Sequence, residues 1–159
     1  MASSSLADIL FHCRSFDQLS PAALYAIWQL RNQVFIVEQQ CAYLDADDKD
    51  QQAYHLMGYV ATENRLIAYT RLLPPGSRFQ EMSIGRVVVH PDYRSKGLGT
   101  LLMQKSIATI QLLYGEGPIR IGAQQYLESF YQSLGFVTCS ATYLEDGIPH
   151  VEMIWHPPN

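Results

Sequence analysis

The sequence predicts an α/β chain, a mixed α+β sheet, on three observations. Runs of strand-like residues flank two amphipathic helical stretches, turn residues punctuate them at short intervals, and no repeat, low-complexity segment or internal linker divides the chain. At 159 residues and 48% hydrophobic content, one core in one domain spanning 1–159 is expected.

The elements follow in order. Ile9 to Phe16 reads as a first strand. Ser20 and Pro21 form an N-cap and first-turn pair for a helix carrying Leu24, Ile27, Trp28, Arg31, Val34 and Phe35. Gln39 to Gln52 is polar and reads as a loop or short helix. Its charge run DADDKD (Asp45 to Asp50) lacks the Gly and Glu that a calcium loop needs, so a solvated loop is expected, with attraction of a cationic amine as the alternative. Tyr54 to Thr62 and Leu66 to Leu73 read as strands turned around Glu63, Asn64 and Arg65.

Met82 to Val89 (MSIGRVVV) ends in a β-branched run and reads as a strand that Pro91 stops. Beyond Gly99 the apolar spacing of Leu101, Leu102, Ile107, Ile110 and Leu113 suits an amphipathic helix. A short strand (Pro118 to Ala123), a helix from Gln125 to Leu134 capped by Gly135, and strands at Phe136 to Leu144 and His150 to Trp155 complete the chain.

Chemistry concentrates at HPDYRSKGLGTLL, His90 to Leu102. Gly97 and Gly99 permit backbone angles closed to other residues, and a helix start there leaves N–H groups unpaired at the positive end of the macrodipole. Such a site suits phosphate. The P-loop pattern is absent, and the dinucleotide fingerprint fails because its third glycine position is Leu102. What stands is R-x-x-G-x-G, made by Arg94, Gly97 and Gly99. On its own this is also compatible with a plain tight turn. Some thirty residues on, SFYQSLGF (Ser129 to Phe136) supplies F-Y-x-x-x-G-F.

These two motifs, in this order, resemble the GNAT-type N-acetyltransferases. VFIVEQ (Val34 to Gln39), IGRVVV (Ile84 to Val89), LESFYQSLGF (Leu127 to Phe136) and EDGIPH (Glu145 to His150) are similar to its ElaA-type subgroup, so the likeness runs from about Leu24 to Trp155. The resemblance implies a GNAT-like acyl-CoA N-acyltransferase fold, with a mostly antiparallel sheet splayed at the cofactor cleft. It implies acetyl-CoA as co-substrate, with its diphosphate on the backbone of Arg94, Ser95, Lys96, Gly97, Leu98, Gly99 and Thr100, and its thioester and pantetheine along Val87, Val88 and Val89. Gln124 stands where many members carry an Asn that contacts the pantetheine arm, and Leu127 where they carry Ala.

Direct transfer to an amine needs a polarised thioester carbonyl, a proton for the departing thiolate and an acceptor for the amine's proton. Tyr131 is the expected acid, although Leu127, Phe130, Tyr131 and Leu134 also fit the stripe of a core helix. Glu38, His55 and His150 are the candidate bases, ahead of His12, His90 and His156. Arg71 and Arg86, on expected strands, need partners: a substrate carboxylate or Glu38.

The net charge of -4 argues against a nucleic-acid binder, and no apolar run approaches a membrane span. MASSSLADIL lacks the basic region of a signal peptide. Three scattered cysteines, Cys13, Cys41 and Cys139, suggest neither disulfides nor a metal site and fit a reducing cytoplasm. The expected activity is acetyl transfer to a small-molecule or protein amine, with no metal; a homodimer stays open. The alternatives are a non-catalytic acyl-CoA-binding module and a nucleotide-binding protein, the latter disfavoured by the missing Lys-Ser/Thr pair.

Overall fold

The structure, a computed structural model, describes residues 5–159; the signal-peptide expectation falls partly on residues 1–4, outside them. Among the described residues, eight strands form two sheets. In the first, β1 (Ile9–Ser15), β2 (Tyr54–Val60), β3 (Arg65–Leu73) and β4 (Ser83–Val89) lie in sequence order, each antiparallel to the next. In the second, β8 (Ile148–Trp155) pairs antiparallel with β5 (Ile119–Gln124), β6 (Val137–Thr138) and β7 (Tyr143–Glu145). The mostly antiparallel, splayed sheet with flanking helices is the architecture expected from the sequence.

Helices cover both faces of the first sheet. Helix α1 (Pro21–Arg31) starts where Ser20 Oγ accepts a hydrogen bond from the Ala23 amide at 3.0 Å, with Pro21 in the first turn. Its Ile27 and Leu30 pack on Met57, Tyr69 and Val88. On the opposite face Leu102, Met103 and Ile110 of α2 (Leu98–Tyr114) pack with Leu56, Ala68 and Leu72. With both faces covered, β3 is buried from Leu66 to Leu73, a run that is apolar except for Thr70 and Arg71. Thr70 Oγ1 and Ser106 Oγ, buried between sheet and helix, meet at 2.7 Å, so neither hydroxyl is stranded.

Two expectations need correction. The first helix changes at Asn32 into a π-helical turn, Asn32–Glu38, which rotates Val34 and Glu38 off the α-helical stripe. The strand expected over Phe136 to Leu144 is broken between β6 and β7, because the Ser140 side chain, instead of a backbone carbonyl, accepts the Glu152 amide at 2.8 Å. No helix among the described residues is long and apolar enough to cross a membrane.

The decisive junction is β4 with β5. They are parallel neighbours linked through α2, as parallel strands require. One bridge joins them, Met82 with Ile119, reinforced by the Arg120 amide to the Met82 carbonyl at 3.0 Å. Beyond that bridge the two strands pair no further and the sheet opens.

Candidate active site

The opening is a cleft of about 600 Å³. Its floor is β4 from Ile84 to Val89, and Ile121, Gly122 and Gln124 of β5 form the facing wall. Arg94, Ser95, Gly97, Gly99 and Thr100 close one end, while Arg78, Glu145, Asp146, Ile148 and His150 close the other. Phe130 and Tyr131 of α3 (Glu128–Ser133) and Phe35 and Glu38 of the π-turn complete the walls.

The floor carries a β-bulge. Tyr69 pairs with Val88 and Arg71 with Gly85, so Arg86 and Val87 stand opposite Thr70 alone. Arg86 sits at φ 50°, a left-handed angle that a non-glycine residue adopts only when its surroundings compel it. Past the bulge the His90 amide donates to the Ile67 carbonyl at 2.7 Å, on the β3 side. Strand alternation therefore turns the Val89 peptide to the open side, where its carbonyl takes Arg94 Nε at 3.2 Å.

At the first end Gly97 is the N-cap of α2 in the left-handed conformation (φ 79°), and no side chain caps the helix. The amides of the first turn therefore lack intrahelical acceptors. A seventeen-residue helix with an uncapped N-terminus in a cleft suits a diphosphate, so these residues fit coenzyme A. Gly99 has room to spare, since a Cβ there would meet Phe130 only at 3.6 Å.

Tyr131 is 6% exposed, packed edge-on against Phe130 and Phe136, and its hydroxyl makes no hydrogen bond among the described residues. Burial pushes its phenol well above the ordinary tyrosine value, so it stays protonated. At the far end His150 Nδ1 lies 2.7 Å from the Ile148 carbonyl. That nitrogen therefore carries a hydrogen, and Nε2 faces Glu145 Oε2 at 3.4 Å, an ion pair whenever the ring is protonated. Glu145 Oε1 in turn accepts from Arg78 Nη2 at 3.2 Å. Gly122 lets Arg78 lie close over β5: a Cβ there would come within 2.6 Å of that Arg78 nitrogen and 3.0 Å of the Tyr143 hydroxyl, so the Arg78 side chain would have to shift. Gln124 Nε2 donates to Gln39 Oε1 at 3.1 Å across the cleft.

Of the residues singled out in the sequence, Tyr131, Glu38, Arg86, His150, Val87, Val88, Val89, Arg94, Ser95, Gly97, Gly99, Thr100 and Gln124 line the cleft. Lys96 does not, and Leu98 is buried beneath the loop. Two base or substrate candidates fall outside. His55 is fully buried, with Nδ1 2.6 Å from the Tyr69 hydroxyl and Nε2 2.9 Å from the Asp50 carbonyl. Burial lowers its pKa, so it is a neutral hydrogen-bonding core group rather than a base in the cleft. Arg71 is 1% exposed and bonds Asp47 at 2.7 Å and Asp50 at 3.1 Å.

Neither Arg71 nor Arg86 pairs with Glu38, whose carboxylate takes both Nη groups of Arg94. The solvated loop expected at Asp45 to Asp50 is also corrected. Asp45 and Asp50 are buried, and together with Asp47 they bind Arg31, Arg71 and Arg86, three cations matched to three anions. Arginine on strands and helices demands such partners once desolvated. Phe35, Tyr43, Arg78, Gly122, Tyr126, Phe130 and Glu145 line the cleft without having been singled out. Of these, Phe35, Phe130 and Glu145 stood in quoted motifs.

Comparison with known proteins agrees with this geometry. The acetyltransferase (GNAT) domain profile matches residues 32–157. The chain is 42% identical over 149 residues to a UPF0039 protein of Schizosaccharomyces pombe, covering 93% of this chain and 97% of that one. It is 41% identical over 139 residues to protein ElaA of Escherichia coli, covering 86% and 90%. The crystal structure of E. coli ElaA superposes with a TM-score of 0.86 at 37% identity over 93% of this chain and 99% of that chain. An acyl-CoA N-acyltransferase from Pseudomonas aeruginosa also superposes at 0.86 and 37% identity, over 92% and 99%.

Proposed function

This chain belongs to the GNAT acetyltransferase family, in its ElaA-type branch, and from that premise we propose that it moves an acetyl group from acetyl-CoA to a primary amine by direct transfer in a ternary complex. The observation that carries the reading is the parting of β4 from β5 beyond one bridge, between the uncapped start of α2 and Tyr131. An acyl-CoA N-acyltransferase with the same fold at 37% identity supports the acyl donor.

Bound acetyl-CoA supplies the activated acyl thioester. The chain's own groups do the rest. The first-turn amides of α2 hold the diphosphate, and the open edge of β4 at Val89 holds the pantetheine by peptide hydrogen bonds. Tyr131 holds a proton in an apolar setting and gives it to the sulfur as the thiolate leaves. Burial disfavours thiolate and phenolate alike, so a raised phenol still matches its acceptor. His150 Nε2, when unprotonated, takes the amine's proton directly or through water, and the Glu145 carboxylate beside it stabilises the imidazolium that forms. The acceptor is a small-molecule or protein amine, and the free cysteines fit a reducing cytoplasm.

A panel of primary amines incubated with the protein and acetyl-CoA, read by mass spectrometry, tests this. An acetylated amine appearing with free thiol is the expected result. Coenzyme A binding with no amine acetylated would instead leave a non-catalytic acyl-CoA-binding module.

A further inference from the structure

The β4 bulge needs something to hold it. Its key residue, Arg86, stands at φ 50° in mid-strand, an angle disfavoured for a side chain with a Cβ. No glycine supplies the freedom at that position, although Gly85 lies beside it with open space around its missing Cβ.

What surrounds Arg86 is a clamp. Its Nε donates to Asp45 Oδ1 at 2.8 Å, its Nη2 to the Asp45 carbonyl at 3.0 Å and to Asp47 Oδ2 at 3.4 Å. The Tyr43 ring lies 5.8 Å from its guanidinium carbon. Asp45 cannot yield, because it is itself fixed: Oδ2 takes Arg31 Nε at 2.8 Å and Oδ1 takes the Tyr43 hydroxyl at 2.7 Å. Arg31 is wholly buried at the end of α1, so the anchor reaches the core. Arg86 thus spends its donors on the 43–47 loop and not on the cleft. Only its Nη1 lacks a partner among the described residues.

We infer that the Asp45–Arg86 pair is a latch that holds the β4 bulge in its left-handed conformation, and so positions the Val87–Val89 edge toward the acyl donor. Arg86 is then a positioning residue, not a ligand of the acceptor's carboxylate. Asp45 acts one step further out, since it is buried and does not line the cleft. The inference rests on the acyl-transfer reading above.

Glycine separates a backbone role from a ligand role, because it takes φ near 50° without penalty whereas alanine does not. Arg86→Gly and Arg86→Ala both delete the guanidinium and leave Asp45 with Arg31 and the Tyr43 hydroxyl. Their difference therefore reports the backbone. Coenzyme A affinity by calorimetry and acetyl transfer to the best amine are measured for both variants and the parent, with thermal melts alongside. The latch predicts that Arg86→Gly exceeds Arg86→Ala by roughly tenfold in turnover and binds coenzyme A more tightly, in keeping with the left-handed cost of one residue. Folding of the Gly variant where the Ala variant fails has the same meaning. Equal behaviour of the two, in activity, in affinity or in failure to fold, overturns the latch, as does a raised amine KM with kcat unchanged in both. A parent that neither binds coenzyme A nor transfers acetyl groups overturns the functional reading itself, which is a separate outcome.

Discussion

The Glu38 carboxylate binds both Nη groups of Arg94, joining the end of the π-turn to the glycine loop across the mouth of the cleft. Both side chains are exposed, so the pair adds little to stability, on the order of 0.2–1 kcal/mol. Its consequence is for binding. Arg94 is not free to meet a phosphate without leaving Glu38, and Glu38 is not free to act as base. Arg94→Ala is therefore expected to weaken coenzyme A by only about 1 kcal/mol, less than a fully available charge-assisted contact would give. Glu38→Gln is expected to tighten coenzyme A by up to about fivefold with kcat nearly unchanged. Calorimetry and steady-state rates on both variants check this; a large fall in kcat for Glu38→Gln would restore it as the base.

The two loop glycines are not equivalent. Gly97 has φ 79°, while Gly99 lies inside the first turn of α2 with ordinary contact distance to Phe130. Gly97→Ala should cost about 1–2 kcal/mol of stability, and Gly97→Val should also block the first-turn amides. Gly99→Ala should be near neutral for folding, since it sits in helix and overlaps nothing. Chemical denaturation of the two Ala variants, with coenzyme A calorimetry on Gly97→Val, reads the difference.

Stability should fall on acidification in two stages. His55 is buried neutral with its pKa lowered by desolvation, so the unfolded chain takes up a proton first. That contribution is complete above about pH 6.5 and is lost as pH falls toward the lowered folded value. Burial is the largest single influence on Asp47 and Asp50 and pulls their pKa values up, but their arginine partners together outweigh it and hold both below the usual carboxylate value. Their contribution is complete above about pH 4 and disappears only in stronger acid. Denaturation midpoints against pH should be level from neutrality to about pH 8, and His55→Gln should shrink the upper stage, to which buried His90 also contributes, and keep the lower.

Legibility in the sequence followed the range of the interaction. Ser20 with Pro21, Gly97 with Gly99, and the Phe130–Phe136 stretch act on near neighbours, and each stood where its pattern placed it. The Asp45–Arg31 and Asp47–Arg71 pairs span 14 and 24 residues, so a charge run that reads as a wet loop is in fact a buried network. His55 and Arg71 looked available because a strand residue's facing partners are set by sheet register and by the loop packed on it. Arg78 and Gly122 carried no local signal, because their roles arise only where β5 passes beneath the Arg78 side chain. The break at Ser140 is local in extent but tertiary in cause, and periodicity alone runs through it and through the π-turn at Asn32.

The most direct test is the acetyl-transfer rate of Tyr131→Phe, measured with saturating acetyl-CoA and the best amine of the panel. Phe preserves the ring and its packing on Phe130 and Phe136, and no protein hydrogen bond is lost among the described residues. The melting temperature and coenzyme A affinity should therefore stay close to the parent's. Turnover should fall by roughly 10² to 10⁴, or about 3 to 5.5 kcal/mol of barrier, as loss of a general acid does. A variant that melts as the parent does and turns over within about threefold of it contradicts protonation of the leaving thiolate by Tyr131.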